Sequence, residues 1–283
     1  MKIIEVFCIA IFIATTVLTS CSKDVEVIPY VEPDIEWNPD NTTDSLIKDI
    51  YERYQTKILY RWDQRYISTS ATATPPRFEL IYPYIDIVVQ KLFISSYDSQ
   101  NSEFMRRNLP IQLLLVGSRI NYNNGEEASF TGSGAAAQFS RIMVAGINEL
   151  NLDNRSWLNS QVATLHHELA HALDKKYGRP LTYDQVSKGL YAISASFTSF
   201  SDAEARSRGF WRSYGMSNES EDFASFVDGI VGNPKAEVLA VVNQNERLKK
   251  KYHLIMNFYK ELGIDLHDIN AYITSAIESD ILR

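Results

Sequence analysis

Leu165-His166-His167-Glu168-Leu169-Ala170-His171-Ala172-Leu173-Asp174 decides how the rest of this chain is read. It holds one H-E-x-x-H, from His167 to His171. On a helix, residues four apart stand one above the other on one face, so two imidazoles can aim at a single metal ion. Glu168 lies one step round that helix, where its carboxylate can take a proton from a metal-activated water without itself being a ligand.

Working outward, Asn154 and Ser156 offer N-caps, Lys175 and Lys176 fall in the last turn, and Gly178 followed by Pro180 stops the helix. The segment predicted is about twenty residues long. Leu158, Val162, Leu165, Leu169 and Leu173 share one side. His167 and His171 fall roughly opposite, beside Ser160, Ala163 and Ala170, so the core is expected beneath the helix and open space above. His166 points away from the pair and reads as a bystander.

The chain has 283 residues, 45% of them hydrophobic, enough for one large core or two modest lobes in contact. Its formal charge is −7 and no Lys/Arg run exceeds Lys249-Lys250-Lys251, which argues against a phosphate-tracking surface and a nucleic-acid partner.

Val6 to Leu18 is an uncharged apolar run, too short to span a bilayer but suited to a signal-peptide core. It ends Leu18-Thr19-Ser20-Cys21, which resembles a bacterial lipobox. The resemblance implies a signal peptide over residues 1–20 and lipidation of Cys21, with two or three acyl chains making a stable anchor. Residues 21–43, acidic and proline-bearing, then read as a lipid anchor and tether, and 44–283 as the folded domain. The only other cysteine, Cys8, lies in the part removed, so a metal must be held by His and carboxylate.

In chain order, Asp44 to Lys57 predicts a helix, Ile58 to Ile67 alternates like a strand, and Tyr84 to Phe93 is an apolar helical segment. Gln112 to Gly117 and Arg141 to Ile147 read as short buried strands. Between them Asn123 to Ala137 is a glycine-rich loop without Walker spacing. Pro180 to Phe200 reads as a loop over the cleft or a packed connector. Ser217 to Gly229 predicts a helix with Phe223, Phe226, Val227 and Ile230 on one side and Glu221, Ser225 and Asp228 on the other. Two or three helices follow Ala236.

A catalytic zinc takes three protein ligands plus water, so a third must join the histidines. The metzincin solution needs a third His six residues beyond His171, where Tyr177 stands. The gluzincin solution takes a Glu from a later helix, and Tyr214-Gly215-Met216-Ser217-Asn218-Glu219-Ser220-Glu221-Asp222-Phe223-Ala224-Ser225 has that character.

This stretch resembles the metal-site segment of gluzincins of the anthrax lethal factor type, in which a Glu before Asp-Phe-Ala is the ligand and a Tyr seven residues earlier faces the zinc. The resemblance covers about thirty residues in two segments. It implies Zn2+ held by His167, His171 and Glu221, with Glu168 as general base and Tyr214 as oxyanion donor. Glu219 is the rival ligand, and a capping box between Asn218 and Glu221 is the plainer use of the same residues. Asp174 is expected as an acceptor orienting a ligand His.

From about Ile81 to the C-terminal helices the chain is similar to zinc-binding metallopeptidase lipoproteins encoded beside TonB-dependent import systems in Bacteroidetes. That similarity implies an outer-membrane lipoprotein, on the periplasmic or cell-surface face, with a TonB-dependent importer as a partner. The expectation is an α+β, zincin-like domain with a small mixed sheet, an active-site helix and a mainly helical C-terminal lobe, acting on peptide or protein. The strand from Arg141 is the candidate to dock substrate backbone. The alternative is a non-catalytic lipoprotein binding glycan or peptide for an importer, against which the intact Glu168 counts.

Overall fold

The computed structural model describes residues 37–38, 40–122, 127–128 and 141–279. Residues 1–20, expected as a signal peptide, together with Cys21 and most of the glycine-rich loop, lie outside the described residues. Among the described residues no helix is long and apolar enough to cross a membrane.

Helix α1 (Thr42–Tyr54) is capped by Asn41, whose side chain accepts from Thr43 N. Trp37 packs on Tyr51 at a centroid distance of 6.1 Å, so the folded body starts ahead of Asp44. The strand expected over Ile58 to Ile67 is only β1 (Lys57–Leu59). Past it Asp63 accepts from Arg65 N and closes a 3-10 turn at Gln64–Tyr66. A side-chain cap of this kind competes with ladder pairing, which is why the alternation of Tyr60, Trp62 and Tyr66 does not become sheet.

After β2 (Ala71–Thr72), α2 (Phe78–Pro83) passes into an eleven-residue π-helical stretch, Tyr84–Ile94, and a last α-turn, α3 (Ser95–Asp98). The changeover falls at Pro83, which has no N–H for the i→i−4 ladder. A short helix α4 (Phe104–Asn108) leads to β3 (Gln112–Leu115), β4 (Ile120–Tyr122), β5 (Glu127–Ala128) and β6 (Arg141–Val144).

Parallel and antiparallel pairings divide between two small sheets. β1, β3 and β6 form a parallel sheet in that order, and β2, β4 and β5 an antiparallel one. The parallel sheet is buried on both faces, as such sheets usually are. Ile58, Leu113, Leu115, Ile142 and Val144 face the main helical core, while Leu114, Val116, Met143 and Ala145 join Ile67, Ala71 and Ile120 on the other side. Among the described residues β6 is an edge strand, and it packs beside the helix that carries the two histidines.

That helix, α5, runs Arg155–Tyr177. Asn154 caps it by accepting from Trp157 N at 3.0 Å, and Gly178 closes it with φ of 73°. The rest is helical: α6 (Tyr183–Val186), α7 (Asp202–Ser207), a 3-10 turn at Ser213–Met216, then α8 (Glu219–Val231), α9 (Lys235–Val242), α10 (Glu246–Glu261) and α11 (Leu266–Glu278). The fold is therefore α+β with a mainly helical C-terminal part, as expected from the sequence.

Candidate metal centre

α8 lies along α5 and covers the histidine face. The open space expected above that face is filled: His167, Glu168 and His171 are 4%, 6% and 8% exposed. Phe223, Phe226, Val227 and Ile230 bury one side of α8, leaving Glu221, Ser225 and Asp228 on another.

Asn218 caps α8 by accepting from the backbone N–H of Ser220 and Glu221, each at 3.0 Å. The Glu221 side chain is turned to the histidines. Its Oε2 lies 3.0 Å from His167 Nε2 and 3.3 Å from His171 Nε2, and the two Nε2 atoms are 3.1 Å apart. Glu219 does not join this group.

Ligands about 2.1 Å from one tetrahedral ion stand about 3.4 Å from each other, close to these separations. A set of two imidazoles and one carboxylate is also the donor chemistry of a catalytic zinc, so the residues present fit the ion.

The outer ring nitrogens decide which atoms are left for a metal. His167 Nδ1 lies 2.7 Å from Asp228 Oδ2. A carboxylate can only accept there, so Nδ1–H donates and the Nε2 lone pair is freed. Asp228 is buried and also receives the Arg212 guanidinium, Nη1 at 2.8 Å on Oδ1 and Nη2 on Oδ2. At His171, Nδ1 lies 2.9 Å from Ser220 Oγ, which in turn lies 3.4 Å from Asp174 Oδ2. Asp174 is held by Arg179, which also pairs with Asp184 at 2.7 Å.

Asp174 thus reaches His171 only through Ser220. The direct carboxylate partner is Asp228, on the other helix, where the sequence reading placed no role. The available signal was its position seven residues, two turns, beyond Glu221 on the same face of α8. Ser220 and Arg212 carry no local signal because they act on distant parts of the chain, 49 and 16 residues away, whereas Arg179 acts within five residues on Asp174 and Asp184.

The titration of these groups reflects the crowding. Burial alone would lower His167, but hydrogen bonds with Asp228 and Glu221 outweigh it and push its pKa up to about 9. Burial would raise Glu221, yet the two imidazoles hold its carboxyl far below the usual range. A site that grips a proton between these donors is one that attracts positive charge. Burial raises Glu168, partly offset by the histidines.

Tyr214 stands on the 3-10 turn before α8, 39% exposed, its ring 6.2 Å from that of His167. Burial, then the charges of Glu221 and Glu168, push its hydroxyl well above the ordinary value, so it remains a proton donor. The turn comes this close to α8 because Gly215 and Gly229 carry no Cβ. A Cβ on Gly215 would sit 3.3 Å from Asp222 Cα, and one on Gly229 would meet the Trp211 ring at 2.1 Å.

His166 faces the opposite way from its neighbour, as expected. It is buried with Nδ1 2.8 Å from Tyr97 Oη and its ring edge-on to Phe93 at 5.2 Å. It belongs to the core between α5 and the π-helical stretch.

A protein-family profile described as "putative zinc-binding metallo-peptidase" matches residues 36–267. The chain belongs to that metallopeptidase family. A crystal structure of a protein from Bacteroides caccae, described in the same words, shares the metallopeptidase fold with a TM-score of 0.68 and 22% identity, over 88% of this chain and 98% of that one. None of the curated proteins matches the chain. Within the family fold, His167, His171 and Glu221 are the group able to hold a metal ion among the described residues.

Proposed function

We propose that this member of the metallopeptidase family is a zinc-dependent peptidase of gluzincin type, with His167, His171 and Glu221 as ligands and Glu168 as general base. The observation that carries the reading is the convergence of His167 Nε2, His171 Nε2 and Glu221 Oε2 within 3.3 Å of one another beside the buried Glu168. Two lone pairs and a carboxylate oxygen aimed at one point repel each other unless a proton or a metal ion lies between them.

The chemistry that zinc supplies is polarisation of the scissile carbonyl and acidification of a water. Glu168 accepts the proton of that water as it attacks and returns it to the leaving amine. Its burial favours the protonated form and so strengthens Glu168 as acceptor in the first of these transfers. Tyr214 donates its hydroxyl hydrogen to the oxyanion as it forms. The edge of β6 beside α5, unpaired among the described residues, is suited to receive substrate backbone as an added strand.

The lipobox-like ending at Cys21 supports a lipid anchor, and the resemblance to import-associated lipoproteins supports placing it at the outer membrane with a TonB-dependent importer as a partner. A buried Glu168 next to the ligands has no use in a protein that only binds, which favours the enzyme over the import-binding reading. The test is incubation of the purified protein, in detergent and loaded with zinc, with a library of proteome-derived peptides. New termini that vanish on chelation and in Glu168→Gln are expected, and none appearing with zinc bound would overturn the peptidase.

A further inference from the structure

The first turn of α8 holds a charge pair that the chemistry above leaves unused. Lys251, on α10, and Asp222 are both 0% exposed, with Nζ 2.6 Å from Oδ2. The ammonium also donates to the Gly209 carbonyl at 2.8 Å and lies 4.2 Å from the Phe210 ring centroid. The Tyr191 hydroxyl donates to the same Asp222 oxygen at 3.0 Å.

Burying two ions costs about as much as their attraction returns, and an apolar pair of similar volume usually holds helices together as well or better. What an ion pair adds is direction. Asp222 follows Glu221 in sequence, and successive helical residues are about 100° apart around the axis. Fixing Asp222 towards α10 therefore fixes the angle at which Glu221 faces α5.

The same carboxylate reaches the segment from Leu190 to Phe200. Tyr191 is bonded to it, Ala192 N donates to Met216 O at 2.8 Å, and Phe197 meets Tyr214 edge-on at 5.6 Å. We propose that Lys251, Asp222 and Tyr191 form a positioning unit, which sets the rotation of α8 so that Glu221 meets the histidines and seats the connector against Tyr214. The inference rests on the metal reading of the site.

The test uses full-length protein in detergent, with zinc affinity from chelator competition, the visible spectrum of the cobalt(II) form, and melting temperature. The double variant Asp222→Leu/Lys251→Met should melt near the native temperature yet bind zinc about tenfold more weakly, with a changed cobalt spectrum. If it binds zinc as the native protein does, the pair is filling and the inference is wrong. Tyr191→Phe keeps the ring against Phe210, so it should leave zinc affinity intact while chymotrypsin cuts between Leu190 and Phe200 faster. An unchanged cleavage rate overturns the proposal even if the double variant fails to fold. If the native protein takes up no zinc, the metal reading falls and takes this inference with it; native uptake with indifferent variants sinks the positioning unit alone.

Discussion

Glu221 and Asp228 stand seven residues apart on α8 and grip the two nitrogens of one ring, Glu221 at His167 Nε2 and Asp228 at Nδ1. In the proposed site helix α8 therefore supplies both a ligand and the group that orients a ligand on the neighbouring helix. Asp228→Asn keeps the shape but lets an amide replace the acceptor, and the Nδ1–H tautomer loses its support. Zinc affinity by chelator competition is expected to fall about 10- to 100-fold with the fold intact. An unchanged dissociation constant would show that His167 needs no such help.

Ligand loss and base loss should separate. Glu168→Gln preserves volume and removes only the basic carboxylate, so full zinc occupancy and a loss of turnover of roughly 10² to 10⁴ are expected. Glu221→Ala should lower occupancy and turnover together. Native turnover in Glu168→Gln, on a peptide the protein cleaves, would refute the assigned base.

Zinc removal should be visible in the melting curve. A ligand at a hundred times its dissociation constant stabilises by about 2.7 kcal/mol, roughly 5 to 10 °C for a domain of this size. Chelator should lower the melting temperature by that order and added zinc restore it. Coincident curves for chelated and zinc-loaded protein would argue against a structural grip on the ion.

Gly229→Ala sets two effects against each other. Alanine gains about 1 kcal/mol of helix propensity over glycine. Its Cβ would lie 2.1 Å from Trp211 ring atoms, and such overpacking costs about 1 to 3 kcal/mol. Net destabilisation by denaturant titration is expected, together with displacement of the turn that holds Arg212 and Tyr214. A stabilised variant would mean that the Trp211 ring moves freely.

For the anchor, Cys21→Ala should abolish lipidation and leave the N-terminal segment uncleaved. Phase separation in detergent and intact mass report this directly. Equal partition and equal processing of variant and native protein would remove the lipoprotein reading.

The helix at the centre was legible because its information is local. Asn154, Gly178 and the leucine spacing lie inside the segment they define, and α5 runs between those caps. The Tyr214 to Ser225 stretch was legible for the same reason, through the spacing of Tyr214 and Glu221 before Asp222-Phe223-Ala224. What could not be read depends on which surfaces meet. Asp228 looks like any polar residue on an amphipathic helix until α8 is laid on α5. Asp174 looked closer to His171 than it is, because Arg179 draws its carboxylate and leaves Ser220 between them. Likewise, the alternation after Ile58 was broken by one side-chain cap at Asp63.

His167 and Glu221 are 54 positions apart in the chain. Considered as a polymer, an ion shared by them ties the intervening stretch into a ring. The entropy of closing such a ring grows only with the logarithm of its length, about 0.6 kcal/mol for each doubling. As far as ring closure goes, insertions from Gly178 to Asn218 that fall between the contacts holding the site would have little effect on how firmly the two ends are clasped. Length in this stretch is thereby nearly free, whereas composition at Arg179, Tyr191 and Arg212 is not, because those side chains hold Asp174, Asp222 and Asp228 around the clasp.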